Sequence, residues 1–230
     1  MRRETEERWI AARTHGRYLL ERRSAAEASA LLVGFHGYGE GPERLLRNLR
    51  RIPGSDEWVL CAVQALHRFY HNITGEVIGS WMTSQGREQA IDDNIRYVAS
   101  VVAQVQEEHR SSGRLVLVGF SQGVAMAYRA ALRGGFPCHG LIVLAGDFPP
   151  ELAAGPWPYI PPVLLGRGTR DTLYTEEMME KDLEVLRGLG AAVEPCVFEG
   201  GHVWSREFLR AAGAFLRRIH ESCPHAGAGS

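Results

Sequence analysis

A chain of 230 residues is long enough for one sizeable core and short for two. Its 45% hydrophobic and 23% charged residues, with a net charge of −1, exclude a disordered chain, and they exclude a basic protein drawn by bulk charge to nucleic acid or anionic membrane. No run reaches the ~20 apolar residues of a membrane span, and the four cysteines show neither a CxxC pair nor a zinc-like spacing.

The N-terminal MRRETEERWI lacks an apolar stretch of signal-peptide length, so the expected location is cytoplasmic and the thiols are expected to be free. Residues 7–22 read as an antiparallel hairpin, ERWIAAR and RYLLER around His15-Gly16. ALLVGF (30–35) is a strand, and a helix follows from about Pro42 to Ile52 with proline in its first turn. EWVLCAVQA (57–65) is the next strand. Residues 66–86 read as irregular, and are long enough for a connection to have a task. Ile91, Ile95, Val98, Val102 and Val105 form one apolar stripe on a helix from about Glu88 to His109. RLVLVGF (114–120) and GLIVLAG (140–146) are strands apolar enough to be buried on both faces, with an Ala-rich helix (122–133) between them. After a Pro-rich connection (149–162) come VLLGRG (163–168), a helix (175–190), a strand (191–199) and an amphipathic helix (205–219) opened by a serine cap. Buried strands alternating with helices predict an α/β fold, a mostly parallel sheet covered on both faces, as one domain over 1–222 with a frayed tail at 223–230.

Gly119-Phe120-Ser121-Gln122-Gly123 is a G-x-S-x-G motif. The pattern alone is weak, but here it follows LVLV directly and opens a helix, the strand–turn–helix setting of a nucleophile elbow. The glycines permit a turn too sharp for side chains, Ser121 projects from the end of the sheet, and the N–H of Gln122 is placed to bind an oxyanion. The bland reading of Ser121 is a helix cap after a buried strand.

A serine hydroxyl is a poor nucleophile until a base takes its proton. Among nine histidines, His202 in EGGHVWS lies between the last strand and the last helix. His36 precedes the serine, against the Ser…Asp…His order that goes with such an elbow. The acid that holds the imidazole is read as Asp171 in GRGTRD, with Asp147 in LAGDFPP as its competitor at another strand end. Phe35-His36-Gly37-Tyr38-Gly39 follows the first buried strand, and its Tyr38 N–H is read as the second oxyanion donor. A dinucleotide loop starting at Gly37-Tyr38-Gly39 fails, because Pro42 stands at the third glycine position. His67 and His71 lack a carboxylate partner for a metal.

The segments GFHGYGE, SWMTS, GFSQG, GRGTRD and EGGHVWS, in this order, resemble the phospholipase/carboxylesterase group of α/β-hydrolases, which includes acyl-protein thioesterases and bacterial carboxylesterases. The likeness runs from about residue 30 to 204, and GFSQG is its most specific part. Two positions depart from the family's habit: Val124 where a second glycine is usual, and HGYGE in place of an HGLGD-like turn. The resemblance implies ester or thioester hydrolysis by Ser121, His202 and Asp171, oxyanion donors at Tyr38 and Gln122, and no large lid domain.

The expected activity is therefore acyl transfer to Ser121 and release by water, with no cofactor and no metal. The expected partner is a small ester, thioester or lysophospholipid, with no nucleic acid and no integral membrane contact; a homodimer is compatible. Phe69, Tyr70, Trp81, Met82 and Trp157 are expected to line the substrate pocket, the rival being plain packing under long loops. The alternatives are a lactone hydrolase or peptidase on the same fold, and a ligand-binding protein that has lost turnover.

Overall fold

The computed structural model describes residues 5–22, 30–109 and 113–221. Seven strands form one sheet: β1 (Tyr18–Glu21), β2 (Ala30–Phe35), β3 (Trp58–Val63), β6 (Leu115–Phe120), β7 (Gly140–Leu144), β8 (Val163–Gly168) and β9 (Val193–Phe198), in the order β1-β3-β2-β6-β7-β8-β9. All neighbours are parallel except β1, which runs antiparallel along the edge of β3. A separate antiparallel pair, β4 (His67–Tyr70) and β5 (Val77–Ser80), forms a hairpin. The helices are α1 (Pro42–Leu49), α2 (Arg87–Glu108), α3 (Gln122–Arg133), α4 (Glu176–Gly188) and α5 (Arg206–Glu221).

Strand periodicity divides the core in two. Leu31, Val33 and Phe35 of β2, with Leu115 and Leu117 of β6, face α2 and α3; Leu32 of β2, with Val116 and Val118 of β6, faces α1 and α5. A sheet buried on both faces needs apolar residues at nearly every position, which is why β2, β3, β6 and β7 read as continuous apolar runs. β9 is the outer strand, is partly exposed, and carries Pro195, a residue tolerated at an edge.

Two expectations are corrected. The hairpin over 7–22 does not form: residues 7–17 hold no strand, and only Tyr18–Glu21 pairs, with β3. A tight two-residue hairpin turn needs positive φ, which neither His15 nor Gly16 adopts. The free edge of β3 takes the segment instead, and the Tyr97 hydroxyl and the Gln64 N–H both bond the Arg17 carbonyl, at 2.7 and 2.9 Å. The 66–86 stretch is the second correction, since it contains the β4–β5 hairpin. Every residue of β4 is exposed, so no burial rhythm marks it in the sequence. A bridge from Glu40 to Gly79 ties this hairpin to the turn after β2.

Candidate active site

Four loops at the carboxyl ends of β2, β6, β8 and β9 carry Tyr38, Ser121, Gln122, Asp171 and His202, as expected for an open parallel sheet. Ser121 sits between β6 and α3 with φ 53° and ψ −123°, a conformation that L-residues rarely hold. Its flanking glycines are dictated by contact. A Cβ on Gly119 would lie 2.6 Å from the Val124 Cα, and one on Gly123 would lie 2.1 Å from the Phe35 carbonyl oxygen. Strand, turn and helix are thus pressed together around the strained residue. The Ser121 N–H donates to the Leu144 carbonyl at 2.9 Å, which anchors the turn to β7.

His202 and Asp171 come from different loops and meet. His202 Nδ1 lies 2.8 Å from Asp171 Oδ2. The other carboxylate oxygen accepts from the N–H groups of Leu173 and Tyr174, at 2.9 and 3.0 Å, and the Asp171 side chain is fully buried. A carboxylate held by two amides cannot swing away, so it orients the imidazole with Nδ1–H as the donor to it. The two loops can approach because Gly168 lacks a side chain: a Cβ there would lie 2.4 Å from the Gly201 oxygen. Phe120, beside the serine, packs its ring against His202 with centroids 5.0 Å apart. Asp147, the competing acid, is exposed and bonds no histidine among the described residues.

Gln122 follows the serine in the chain, and the turn that carries Tyr38 approaches it at Gly37, where a Cβ would lie 3.3 Å from the Ser121 Cβ. Neither backbone N–H has an acceptor among the described residues, so both are available. The turn carrying Tyr38 is fixed by Glu40, whose carboxylate accepts from the Gly37 N–H at 3.1 Å and pairs with Arg44 at 3.0 Å.

His36 is a strut. Its ring is fully buried; Nδ1 lies 2.7 Å from the Gly37 oxygen, and Nε2 accepts from the Ala65 N–H at 3.1 Å. Burial holds its pKa below the ordinary 6.5, which suits a neutral ring with Nδ1–H donating. His67 and His71 belong to no metal-type cluster among the described residues.

The proposed pocket lining divides. Phe69 and Tyr70 are exposed on β4, and the Phe69 ring packs against Tyr38 with centroids 5.7 Å apart. Trp81 is corrected: it is only 1% exposed, so it cannot form a pocket wall. Its indole N–H donates to the His36 carbonyl at 2.8 Å, and its ring meets Phe35 edge-on. Met82 is half-buried, with its sulfur 3.7 Å from an Arg129 nitrogen. Trp157 is half-buried and folds onto its own loop, donating to the Leu152 carbonyl at 2.7 Å.

The Gln122 side chain is a feature that sequence reasoning missed. Its Oε1 accepts from the Trp81 N–H at 2.9 Å, and its Nε2 donates to the Met82 carbonyl at 3.1 Å. Asn94 of α2 reaches the Trp81 carbonyl at 2.7 Å. The segment after β5 is thereby clamped between α2 and the elbow. The pairing of GFSQG with SWMTS was the available signal.

Solved structures define the class first. Esterase PE8 matches 90% of this chain and 100% of its own, with 26% identity and a TM-score of 0.73. The acyl-protein thioesterase 2 of Zea mays (19% identity, TM-score 0.69, 89% and 99% coverage) and the Bacillus cereus carboxylesterase (14%, 0.68, 89% and 94%) share the fold. No curated protein matches. The chain is an α/β-hydrolase. Within that class, residues 22–220 match the family model described as Phospholipase/Carboxylesterase, and the chain belongs to that family. It is a hydrolase of the phospholipase/carboxylesterase type. No helix among the described residues is long and apolar enough to cross a membrane.

Proposed function

We propose that the protein hydrolyses carboxylic esters or thioesters through an acyl-enzyme on Ser121, with His202 as base and Asp171 as its orienting acid. The observation that carries this is the 2.8 Å contact between His202 and a buried, doubly amide-bonded Asp171, with Phe120, the neighbour of a serine held at positive φ, packed on the His202 ring. In the first half-reaction His202 Nε2 takes the Ser121 hydroxyl proton as Oγ attacks the acyl carbon. The oxyanion is stabilised by the N–H groups of Tyr38 and Gln122. The leaving alcohol or thiol departs with the proton from Nε2. In the second half-reaction water attacks the acyl-serine, its proton passes to Nε2, and the acid is released as Ser121 regains its hydrogen. Asp171 stabilises the transient imidazolium throughout and takes no proton. Phe69 and Tyr70 are proposed to contact the substrate, because they are exposed on the hairpin bordering the Tyr38 turn.

The test is covalent. A fluorophosphonate should label the protein once, at Ser121, and Ser121→Ala should abolish both labelling and p-nitrophenyl ester turnover. Undiminished labelling of that variant would move the nucleophile elsewhere.

A further inference from the structure

Helix α1 carries Arg44 and Arg47 on one exposed stripe that continues to Arg51 just beyond its end. The stripe borders a cavity of about 400 Å³ whose other walls include Phe120, His202 and Trp204. The cavity therefore reaches His202, assigned above as the base.

The charge on its walls is unbalanced. Arg44 is paired with Glu40. Arg47 has no carboxylate partner at salt-bridge distance among the described residues, and Arg51 donates to the neutral Asn48 Oδ1 at 3.0 Å. No carboxylate lines the cavity. Arg47 acts on Glu43 one turn earlier without a salt-bridge contact; two guanidinium groups with no salt-bridging acid, at a concave surface that includes His202, suit an anion whose oxygens accept from their N–H donors.

Position says which part of a substrate carries that anion. The histidine that deprotonates the serine also protonates the leaving group, so the leaving group lies against His202. A cavity walled by His202 extends from that side. We propose that this cavity binds an anionic group, carboxylate or phosphate, on the leaving alcohol or thiol of the substrate. The proposal rests on the Ser121–His202 reading, and the released product would then be a hydroxy- or thiol-bearing anion.

Three acetate esters that differ only in the para substituent of the phenol test it: a carboxylate, a phosphate monoester and a neutral carboxamide. kcat/KM is measured for each with the wild type and with the double variant Arg47→Gln/Arg51→Gln, whose substituted side chains are exposed. The wild type should favour at least one anionic ester over the neutral one, and whichever is favoured identifies carboxylate or phosphate. One unit charge about 5 Å from another in a water-like medium contributes roughly fourfold, so losing two arginines should lower the anionic-to-neutral ratio by about fifteenfold. The preference should also weaken between 20 and 500 mM salt, spanning Debye lengths from roughly 20 Å to under 5 Å. A wild-type ratio near one, or a ratio unchanged in the double variant, overturns the proposal. Failure of the underlying reading looks different: Ser121→Ala would then still turn over all three esters.

Discussion

Asp171 and Asp147 each follow a strand of the central sheet, yet their surroundings are opposite. Asp171 has one oxygen on two amides and the other on His202; Asp147 is exposed. Replacing Asp171 by Asn should leave the fold in place, since the amide oxygen can still accept from Leu173 and Tyr174. The amide nitrogen would then face Nδ1 as a donor and select the wrong imidazole tautomer, lowering kcat on the order of 10⁴-fold. Asp147→Asn should change kcat by less than a few-fold. Steady-state kinetics on a p-nitrophenyl ester decides between them, and the reverse ranking would remove Asp171 from the mechanism. The sequence could place both acids at strand ends but not rank them by contact. What separates them is the backbone approach of Gly168 to Gly201, a contact between loops 33 residues apart.

Among the elements, the segment after β5 shows how a motif can be legible while its task is not. An aromatic in a long connection has the same hydropathy whether it walls a pocket or fills a core. Trp81 does the second, and the deciding partners, His36, Gln122 and Asn94, come from three other parts of the chain. The elbow was legible because its signal is local: apolar strand, two glycines and helix are contiguous. The 7–22 hairpin misled for the converse reason, since a strand pairs with whichever edge is open and the β3 edge is remote in sequence. Trp81→Phe keeps most of the packing but leaves the His36 carbonyl without its indole donor. A buried acceptor that loses its donor costs about 1–3 kcal/mol. Thermal melts should show that loss, while the acyl-length profile over a p-nitrophenyl ester series keeps its shape. A shifted profile with an unchanged melt would return Trp81 to the pocket.

At the scale of the whole molecule, two buried titratable groups pull stability in opposite directions with pH. His36 has its pKa lowered by burial, so its contribution is complete above the unfolded value of 6.5 and is lost as pH falls through the folded value. Asp182 of α4 behaves in the opposite sense. It is 7% exposed, and it accepts from the Phe148 N–H at 3.0 Å and the Tyr174 hydroxyl at 2.8 Å, tying α4 to the loop after β7. Burial pushes its carboxyl from 3.8 up to about 6, against the pull of those two hydrogen bonds; Asp147 adds to the rise and Lys181 opposes it. The surrounding Tyr128 and Tyr174 hydroxyls are themselves held neutral by burial. Between pH 3.8 and about 6 the folded chain keeps a proton that the unfolded chain releases. The contribution of Asp182 is therefore full below the unfolded value and is lost as pH rises through the folded one. Asp182→Asn retains an oxygen for Phe148 and Tyr174 and carries no charge at any pH. The variant should match the wild type near pH 4 and be more stable at pH 8, by about 2 kcal/mol, which for a chain of this size is a melting shift of about 5 °C. Melts of both proteins from pH 4 to 8 measure the difference directly. A variant that loses ground to the wild type as pH rises would mean that the ionised Asp182 stabilises the fold, with its hydrogen bonds outweighing its burial.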